Sequence, residues 1–135
     1  MKKRAIAIVG VLAGGLAHAD NLEGVDKMIC AAAQVQICIE NDTCYSATPA
    51  ELDVPDFVVI DTRKKTISTT KASNQNRSTE FTSVEKLDGL IYLQGVEGGR
   101  AFSFVIDEET GRMTVAVSRD GLSVSVFGAC TDTDL

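Results

Sequence analysis

The chain has 135 residues, with 19 acidic and 13 basic side chains, a formal net charge of −6, four cysteines, one histidine and no tryptophan. This length fits one domain, and the negative charge argues against nucleic acid, anionic lipid or another polyanion as partner. The single histidine, His18, falls inside the leader predicted below. We therefore expect the exported chain to have no Ser-His or Cys-His nucleophile pair, no histidine-ligated metal and no cofactor.

The first 19 residues have the pattern of a cleavable secretory signal. A basic start, MKKR, precedes the apolar run AIAIVGVLAGGL and then AHA, and we predict cleavage after Ala19. The apolar run is too short and too interrupted by glycine to span about 30 Å of hydrocarbon. We therefore expect a periplasmic or secreted protein with no stable membrane insertion after cleavage. Residues 20–135 would form one disulfide-stapled β domain with 10 basic and 19 acidic side chains, a net charge of −9.

Four cysteines follow the leader: Cys30, Cys38, Cys44 and Cys130. An even number in an exported chain predicts disulfides, and four cysteines allow three pairings. We favour Cys38–Cys44, which would staple a tight turn, and Cys30–Cys130, which would tie the start of the domain to its end. In an antiparallel meander, a sheet of eight strands would place the start of the first strand beside the end of the last, whereas in a sheet of nine these points would lie at opposite ends and Cys130 would be nearer Cys38 or Cys44. A C-x-x-C redox pair and paired zinc knuckles are both missing from the sequence.

The first predicted element after the leader is the strand MICAAAQVQICIE, from Met28 to Glu40. Its apolar residues alternate with the others, which predicts a strand with one buried face, although its AAA core leaves a helix as the alternative. Thr48-Pro49-Ala50-Glu51 then combines a capping box with a proline at the first helical position, which predicts one short helical turn near 49–52. The residues predicted to share the buried face of the strand are Ile29, Ala31, Ala33, Val35, Ile37 and Ile39.

The remaining segments alternate between strands and turns. FVVID and TISTT flank Arg63-Lys64-Lys65 and predict a hairpin, and residues 71–78 form a predicted polar loop. Five predicted strands follow: TEFTSVEKL, LIYLQGVE, RAFSFVID, RMTVAVS and LSVSVF. Asp-Gly and Gly-Gly pairs between these strands supply the positive φ that tight hairpins need. A strand about every ten residues predicts an up-and-down antiparallel meander.

These strands each have one apolar face; Phe102, Phe104 and Ile106, for example, share a side of one strand. Since no amphipathic helix is predicted to cover such a face, the sheet must cover itself. We therefore predict an all-β protein, an antiparallel up-and-down meander of about eight to ten strands that closes into a small barrel or a wrapped sheet.

A family resemblance rests on LQGVEGGRAFSFVIDEETGRM, VPDFVVID, the paired early cysteines and the terminal FGAC. Together these residues resemble a family of small, uncharacterised exported bacterial proteins. The L-Q-G-x-E-x-G-R-A run and FGAC are the more specific parts, and Phe102 stands where that family often has tryptophan. The resemblance implies an exported bacterial protein, and it brings no known activity and no catalytic residues.

Few residues in the sequence are candidates for a catalytic, metal-binding or anion-binding site. Clustered carboxylates at Asp107, Glu108 and Glu109 can bind Ca²⁺ or act as acid and base, but an EF-hand-like loop is missing and turns attract acids for solvation alone. The basic turn at 63–65 can contact an anion. The glycines at 95–99 lie between strands, which argues against a phosphate-binding loop. The residues that leave a Ser-Lys dyad open are Ser68, Lys71, Ser73 and Ser78.

We predict a small exported, non-enzymatic β-domain that binds an unknown protein or small ligand in the cell envelope. A small barrel holds one ligand or is filled by its own side chains, and we expect a filled interior. The alternative is an interior in which inward Ala31, Ala33 and Gly95 leave space. Glu97 and Arg100 flank a Gly-Gly turn, where an exposed ion pair would contribute about 0–1 kcal/mol. The acidic charge also suits an inhibitor of a basic secreted hydrolase such as lysozyme. A histidine-free enzyme using Ser-Lys or carboxylates is the third hypothesis.

Overall fold

The computed structural model describes residues 21–133, so the predicted signal peptide and its cleavage after Ala19 lie outside the described residues. Ten strands and two short 3-10 helices occupy this part of the chain. The 3-10 helices are Pro49–Leu52 and Lys71–Ser73. The strands are β1 Lys27–Ile39, β2 Cys44–Ala47, β3 Val58–Asp61, β4 Thr66–Thr69, β5 Ser78–Glu80, β6 Ser83–Leu87, β7 Leu90–Glu97, β8 Arg100–Asp107, β9 Arg112–Arg119 and β10 Leu122–Asp132.

All ten strands belong to one antiparallel sheet with the order β5-β4-β3-β1-β10-β9-β8-β7-β6, and β2 pairs with β1 outside this path. Strand β10 pairs along one edge of β1, while β3 and β2 share the other edge. The outermost strands of the path, β5 and β6, are separated in the chain only by Phe81 and Thr82. The two sides of the sheet therefore meet at this point and the sheet curls into a half-barrel. This confirms the predicted all-β antiparallel fold.

The meander over β7–β10 follows the predicted pattern closely. Strands β7 and β8 have the predicted bounds, β9 continues one residue further, and β10 runs beyond Gly128 to Asp132. Side chains of the predicted apolar faces are buried in the curled sheet, because each inward position along one strand lies opposite an inward position of the next. The core of these four strands consists of Ile91, Leu93, Phe104, Ile106, Met113, Val115, Val124, Val126 and Cys130.

The predicted single strand TEFTSVEKL is wrong, because two residues divide it into β5 and β6. The Phe81 N–H donates to the carbonyl of Lys65 (2.8 Å), beside β4, while the Thr82 N–H donates to the carbonyl of Gln94 (2.7 Å) in β7. The backbone thus changes hydrogen-bonding partners from one side of the sheet to the other between these two residues. The Phe81 side chain is only 4% exposed and packs into the core at the change of side.

The predicted buried face of β1 is wrong in its first half. Met28 and Cys30 are buried there, not Ile29 and Ala31, and the buried face then changes parity to Val35 and Ile37. The register with β10 shifts between Ala32 and Gln34, so that Ala33 is an extra residue that forms a β-bulge and is exposed. Because side chains alternate with a period of two, one extra residue exchanges the two faces.

Glycine is required opposite this bulge. A Cβ atom on Gly128 would overlap the carbonyl oxygen of Ala31 and lie 2.9 Å from Cε of Met113. The close approach of the β1 backbone therefore leaves no room for a side chain at this position. Two residues later Cys130 pairs with Cys30. The terminal FGAC thus combines the glycine that the bulge needs with the cysteine of a disulfide.

The structure contains the two disulfides of the favoured pairing. Cys30–Cys130 joins directly opposed residues of β1 and β10, and Cys38–Cys44 joins directly opposed residues of β1 and β2. Strands β1 and β10 are antiparallel neighbours, so the start of the first strand lies beside the end of the last. The disulfide that closes the long loop between Cys30 and Cys130, with a sequence separation of 100, therefore joins two neighbouring strands of the sheet.

The segment between β1 and β6 is the less regular part of the molecule. Strands β3 and β4 form the predicted hairpin and the first 3-10 helix lies at the predicted turn, whereas β2 and the second 3-10 helix are not predicted. The carboxylate of Glu51 accepts a bond from the Thr48 hydroxyl (2.9 Å) and another from the Thr48 backbone N–H. Among residues 21–133, no helix has both the length and the apolar character needed to cross a membrane.

Candidate functional site

The interior of the half-barrel is partly open. A cavity of about 240 Å³ lies inside the curled sheet, where strands β8, β9 and β10 face β3 and β4. Its surface is mainly aliphatic and aromatic. Six of the residues that line it are Val58, Ile67, Phe102, Phe104, Met113 and Val115.

The cavity exists because the strands on one side are short. Strands β3, β4 and β5 have four, four and three residues, and β3 pairs only with the first part of β1. Beyond these strands the wall is completed by Val54 and Pro55, from the segment after the first 3-10 helix, and by Arg77. A half-barrel wall made from such short strands cannot fill the interior at this end.

Two phenylalanines, Phe102 and Phe104, line the cavity, and Phe81 packs against both of them. Phe81, Phe102 and Phe104 pack edge to face, with ring centroids 5.6–6.1 Å apart. Such contacts hold aromatic rings in defined orientations. The space that the alternative placed beside Gly95 is absent, because a Cβ atom on Gly95 would lie 2.5 Å from Cζ of Phe102. The ring of Phe102 therefore occupies the place of a side chain at Gly95.

Of the other small residues in that alternative, Ala33 is exposed at the bulge and Ala31 is partly buried. It is their neighbour Ala32 that lines the cavity, because the bulge reverses the face of β1. The alternative in which small residues leave interior space is therefore wrong in the residues it named. The space comes from the short strands on the opposite side.

Four polar side chains lie at one end of the cavity: Arg77, Thr79, Glu97 and Arg100. We call these four residues the rim. The Thr79 hydroxyl donates to Oε2 of Glu97 (2.7 Å), and Nε of Arg100 donates to the backbone carbonyl of Glu97 (3.3 Å). The predicted ion pair between Glu97 and Arg100 is thus replaced by these two separate contacts. Both charged side chains are exposed, so this end of the cavity opens to solvent.

Arg77 connects the rim to the loop that completes the wall. Its Nη1 donates to the carbonyl of Asp53 (3.3 Å) and to Oε1 of Gln75 (3.2 Å), and it lies 3.9 Å from Oδ2 of Asp53. The residues next to Asp53, Val54 and Pro55, line the cavity. Arg77 therefore fastens this segment beside the cavity opening.

A second basic residue lies beside Arg100 on the neighbouring strand. In the register of β8 and β9, Arg100 lies directly opposite Arg119. Directly opposed residues of antiparallel strands project from the same face, and like charges in this position repel each other. Among residues 21–133 the three ion pairs all involve Asp26 or Asp53, so neither of these two arginines is neutralised by a salt bridge there.

The predicted acidic turn at Asp107, Glu108 and Glu109 is stabilised by hydrogen bonds to its own backbone. Oδ1 of Asp107 accepts bonds from the backbone N–H groups of Glu109 (2.8 Å) and Thr110 (3.1 Å), which shapes the β8–β9 turn. A surface depression beside this turn is also lined by Glu23 and Asp88. Within residues 21–133, no group of three potential ligands is close enough to hold a metal ion.

The basic turn and the candidate Ser-Lys residues are likewise accounted for. Arg63 lies 3.5 Å from a carboxylate oxygen of Asp26. The Ser73 hydroxyl donates to the carbonyl of Thr70 (2.7 Å) as part of the second 3-10 helix. Across residues 21–133, no hydrogen bond joins Lys71 to a serine hydroxyl. The hydrogen bonds described for residues 21–133 therefore include no Ser-Lys dyad.

The rim is not predicted as a group from the sequence. Arg100 precedes Phe102 by two positions and Arg119 follows Val117 by two, so strand periodicity contains the signal that both arginines share the inward face. Arg77 carries no such signal, because it lies in a loop that reaches the rim only through the fold. A scan against protein-family models and a search of curated proteins find no match for this chain. Function must therefore be argued from the chemistry of the site.

Proposed function

We propose that this protein is an exported, non-enzymatic β-domain that binds a small, largely apolar ligand inside its half-barrel. The observation that carries the proposal is the cavity of about 240 Å³, lined by aliphatic and aromatic side chains with a polar rim at one end. Small-molecule sites in proteins have this composition, an apolar wall with a few polar groups that orient the ligand. Both disulfides are compatible with an oxidising compartment outside the cytoplasm.

The size of the cavity limits the ligand. Water occupies about 30 Å³ per molecule in the liquid, so the volume corresponds to about eight waters, and a ligand of about eight to ten non-hydrogen atoms is a suitable match. Phe102 and Phe104 offer flat surfaces, and Met113 offers a flexible one that adapts to different shapes. A straight alkyl chain or a single aromatic ring would match both the volume of the cavity and the shape of these side chains.

A small ligand explains more of the structure than a protein partner does. Among residues 21–133, the large exposed apolar side chains are spread over several strands and one loop: Ile39, Tyr45, Phe57, Leu87, Val96, Val105 and Phe127. Single exposed apolar residues of this kind are normal on a protein surface. Inhibition of a basic hydrolase stays a prediction that a direct lysozyme assay would test.

Methyl NMR with 1-octanol tests the proposal directly. The protein carries methionine labelled with ¹³C at Cε, so that Met113, which lines the cavity, and Met28, which is fully buried and not part of the lining, give separate signals. We expect added 1-octanol to shift the Met113 signal in a saturable manner and to leave the Met28 signal in place. Equal shifts of both signals, or none at either, would count against an internal binding site.

A cavity-filling variant provides the matched control. Val117→Phe adds a ring to the cavity wall, whereas Val96→Phe makes the same change at a side chain that is 69% exposed. We expect 1-octanol binding to be lost in Val117→Phe and kept in Val96→Phe. Urea unfolding measures the stability of both variants and shows whether each one is folded under the conditions of the 1-octanol titration.

A further inference from the structure

We propose that the ligand of this cavity is an amphiphile with one carboxylate, and that this group binds the guanidinium of Arg100. The inference rests on the proposed function, since the apolar part of the ligand would occupy the cavity already described. It adds a chemical class and a recognition residue. Three features point to such a ligand: the unused donors of Arg100, its position opposite Arg119, and the carboxylate of Glu97 beside it.

Arg100 has donors to spare at the cavity opening. It lines the cavity, and its Nε is used by the carbonyl of Glu97, while its two Nη atoms have no hydrogen-bond partner among residues 21–133. A guanidinium presents parallel N–H groups that match the two oxygens of a carboxylate. Arg77 is less suitable, because its Nη1 is already shared between Asp53 and Gln75.

The position of Arg119 makes an anion at this place favourable. Arg119 lies directly across the β8–β9 pair from Arg100, and two like charges in this arrangement destabilise the sheet. A bound anion between or beside them would remove that repulsion. The pair is notable in a chain whose acidic residues outnumber its basic residues by 19 to 13.

Glu97 selects for a singly charged head group. It lies directly opposite Arg100 on the other side, in the β7–β8 pair, and its Oε2 accepts a bond from Thr79. A bound carboxylate adds one negative charge beside Glu97, Arg100 and Arg119, whereas a phosphate monoester adds about −1.5 to −2 at pH 7. The additional charge would face the Glu97 carboxylate at short range. The geometry thus favours a monocarboxylate over a phosphate ester with the same chain.

The experiment compares three probes that share an eight-carbon chain: octanoate, octyl phosphate and neutral 1-octanol. Their dissociation constants are measured by titration of the Met113 methyl signal at low ionic strength, at pH 7. We expect octanoate to bind about tenfold more tightly than 1-octanol, as a charge-assisted bidentate contact would provide. We also expect octyl phosphate to bind less tightly than octanoate, and added salt to reduce the advantage of octanoate.

Variants assign the effect to one side chain. Arg100→Gln should abolish the tenfold preference for octanoate over 1-octanol when both ligands are titrated against the same variant. Arg112→Gln is the matched control, because Arg112 lies on strand β9 at its opposite end and outside the cavity lining. If Arg100→Gln does not fold, Arg119→Gln serves in its place, with an expected loss of several-fold in octanoate affinity.

The outcomes separate this inference from the proposed function. If 1-octanol and octanoate bind with equal affinity, the cavity binds ligands and the assignment of Arg100 is wrong. If octyl phosphate binds more tightly than octanoate, the anion site is present and the choice of a carboxylate is wrong. If none of the three shifts the Met113 signal, the proposed function itself fails.

Discussion

The two sides of the half-barrel differ in strand length and in how well they are packed. We call β1 and β7–β10, with 8 to 13 residues each, the long wall, and β3–β5, with three or four residues each, the short wall. The long wall supplies most of the buried core, including Ile91, Leu93 and Ile106, none of which is exposed. The short wall contributes Ile60 to the core, while its Val58 and Ile67 remain partly exposed beside the cavity.

One curled sheet thus divides two tasks between its sides. Long strands with regular alternation bury apolar area along their whole length, and such burial dominates the stability of small domains. Short strands end before the interior is filled, which leaves space for a ligand. The polar rim forms where the first residues of β5, in the short wall, meet the β7–β8 turn of the long wall. The predictions below test the division, beginning with the largest expected effect.

The two disulfides should contribute unequally. Cys30–Cys130 closes a sequence separation of 100 within the long wall, whereas Cys38–Cys44 closes a separation of 6. In the chain-entropy model, Cys30→Ala/Cys130→Ala should lower the free energy of unfolding by about 4–5 kcal/mol and Cys38→Ala/Cys44→Ala by about 2–3 kcal/mol. Urea unfolding of the two double variants measures the difference. Equal losses would contradict the model that the long loop matters more.

Truncation in each wall should separate the packed core from the cavity side. Leu93→Ala removes a fully buried side chain from the long wall and should cost about 2–5 kcal/mol. Ile67→Ala, beside existing space in the short wall, should cost about 1–2 kcal/mol, because less apolar area returns to water. Leu87→Ala, at a side chain that is 59% exposed, is the control, and it should change stability by about 0.5 kcal/mol or less. A larger loss for Ile67→Ala than for Leu93→Ala would reverse the comparison.

The same contrast decides how much of the fold the sequence predicts. Strands β7 and β8 are predicted to the residue because their alternation is local and their glycine turns, such as Gly98-Gly99, take positive φ. The bulge at Ala33 is not predicted, since alternation alone does not show that an extra residue lies opposite Gly128. The break at Phe81 is missed for a related reason, because it depends on Lys65 and Gln94, which lie on opposite sides of the sheet. Strand β2 is missed although it forms a local hairpin with the end of β1.

The candidate site is less predictable than the fold, because it forms between the two walls. Strand parity is enough to place Arg100 and Arg119 inward, but not to show that the short strands stop before the interior is filled. Arg77 reaches the rim through a loop whose path depends on Asp53, more than twenty positions earlier in the chain. The predicted strands therefore indicate a barrel with an inside, and only the structure shows which part of that inside is open.

The smallest expected effect concerns the segment that leads into the short wall. Hydrogen bonds from the backbone N–H and then the hydroxyl of Thr48 lower the pKa of Glu51 from its ordinary value of 4.5. Because the pKa is lower in the folded state, the contribution to stability is present above pH 4.5 and is lost as the pH falls through the lowered pKa. Glu51→Gln should therefore reduce the free energy of unfolding slightly at pH 7, and the difference from the unaltered protein should shrink at pH 2–3.

Urea unfolding across this pH range measures the Glu51 effect, and Glu85→Gln, at another exposed glutamate on β6, controls for the loss of one negative charge. The amide signal of Thr48 provides a local test by NMR, since it should move as the carboxylate becomes protonated. A difference between the Glu51→Gln variant and the unaltered protein that stays constant from pH 7 to pH 2 would show that the side chain acts through packing rather than through its charge. In that case the 3-10 helix Pro49–Leu52, which leads into the short wall, would form without a contribution from the charge of the Glu51 carboxylate.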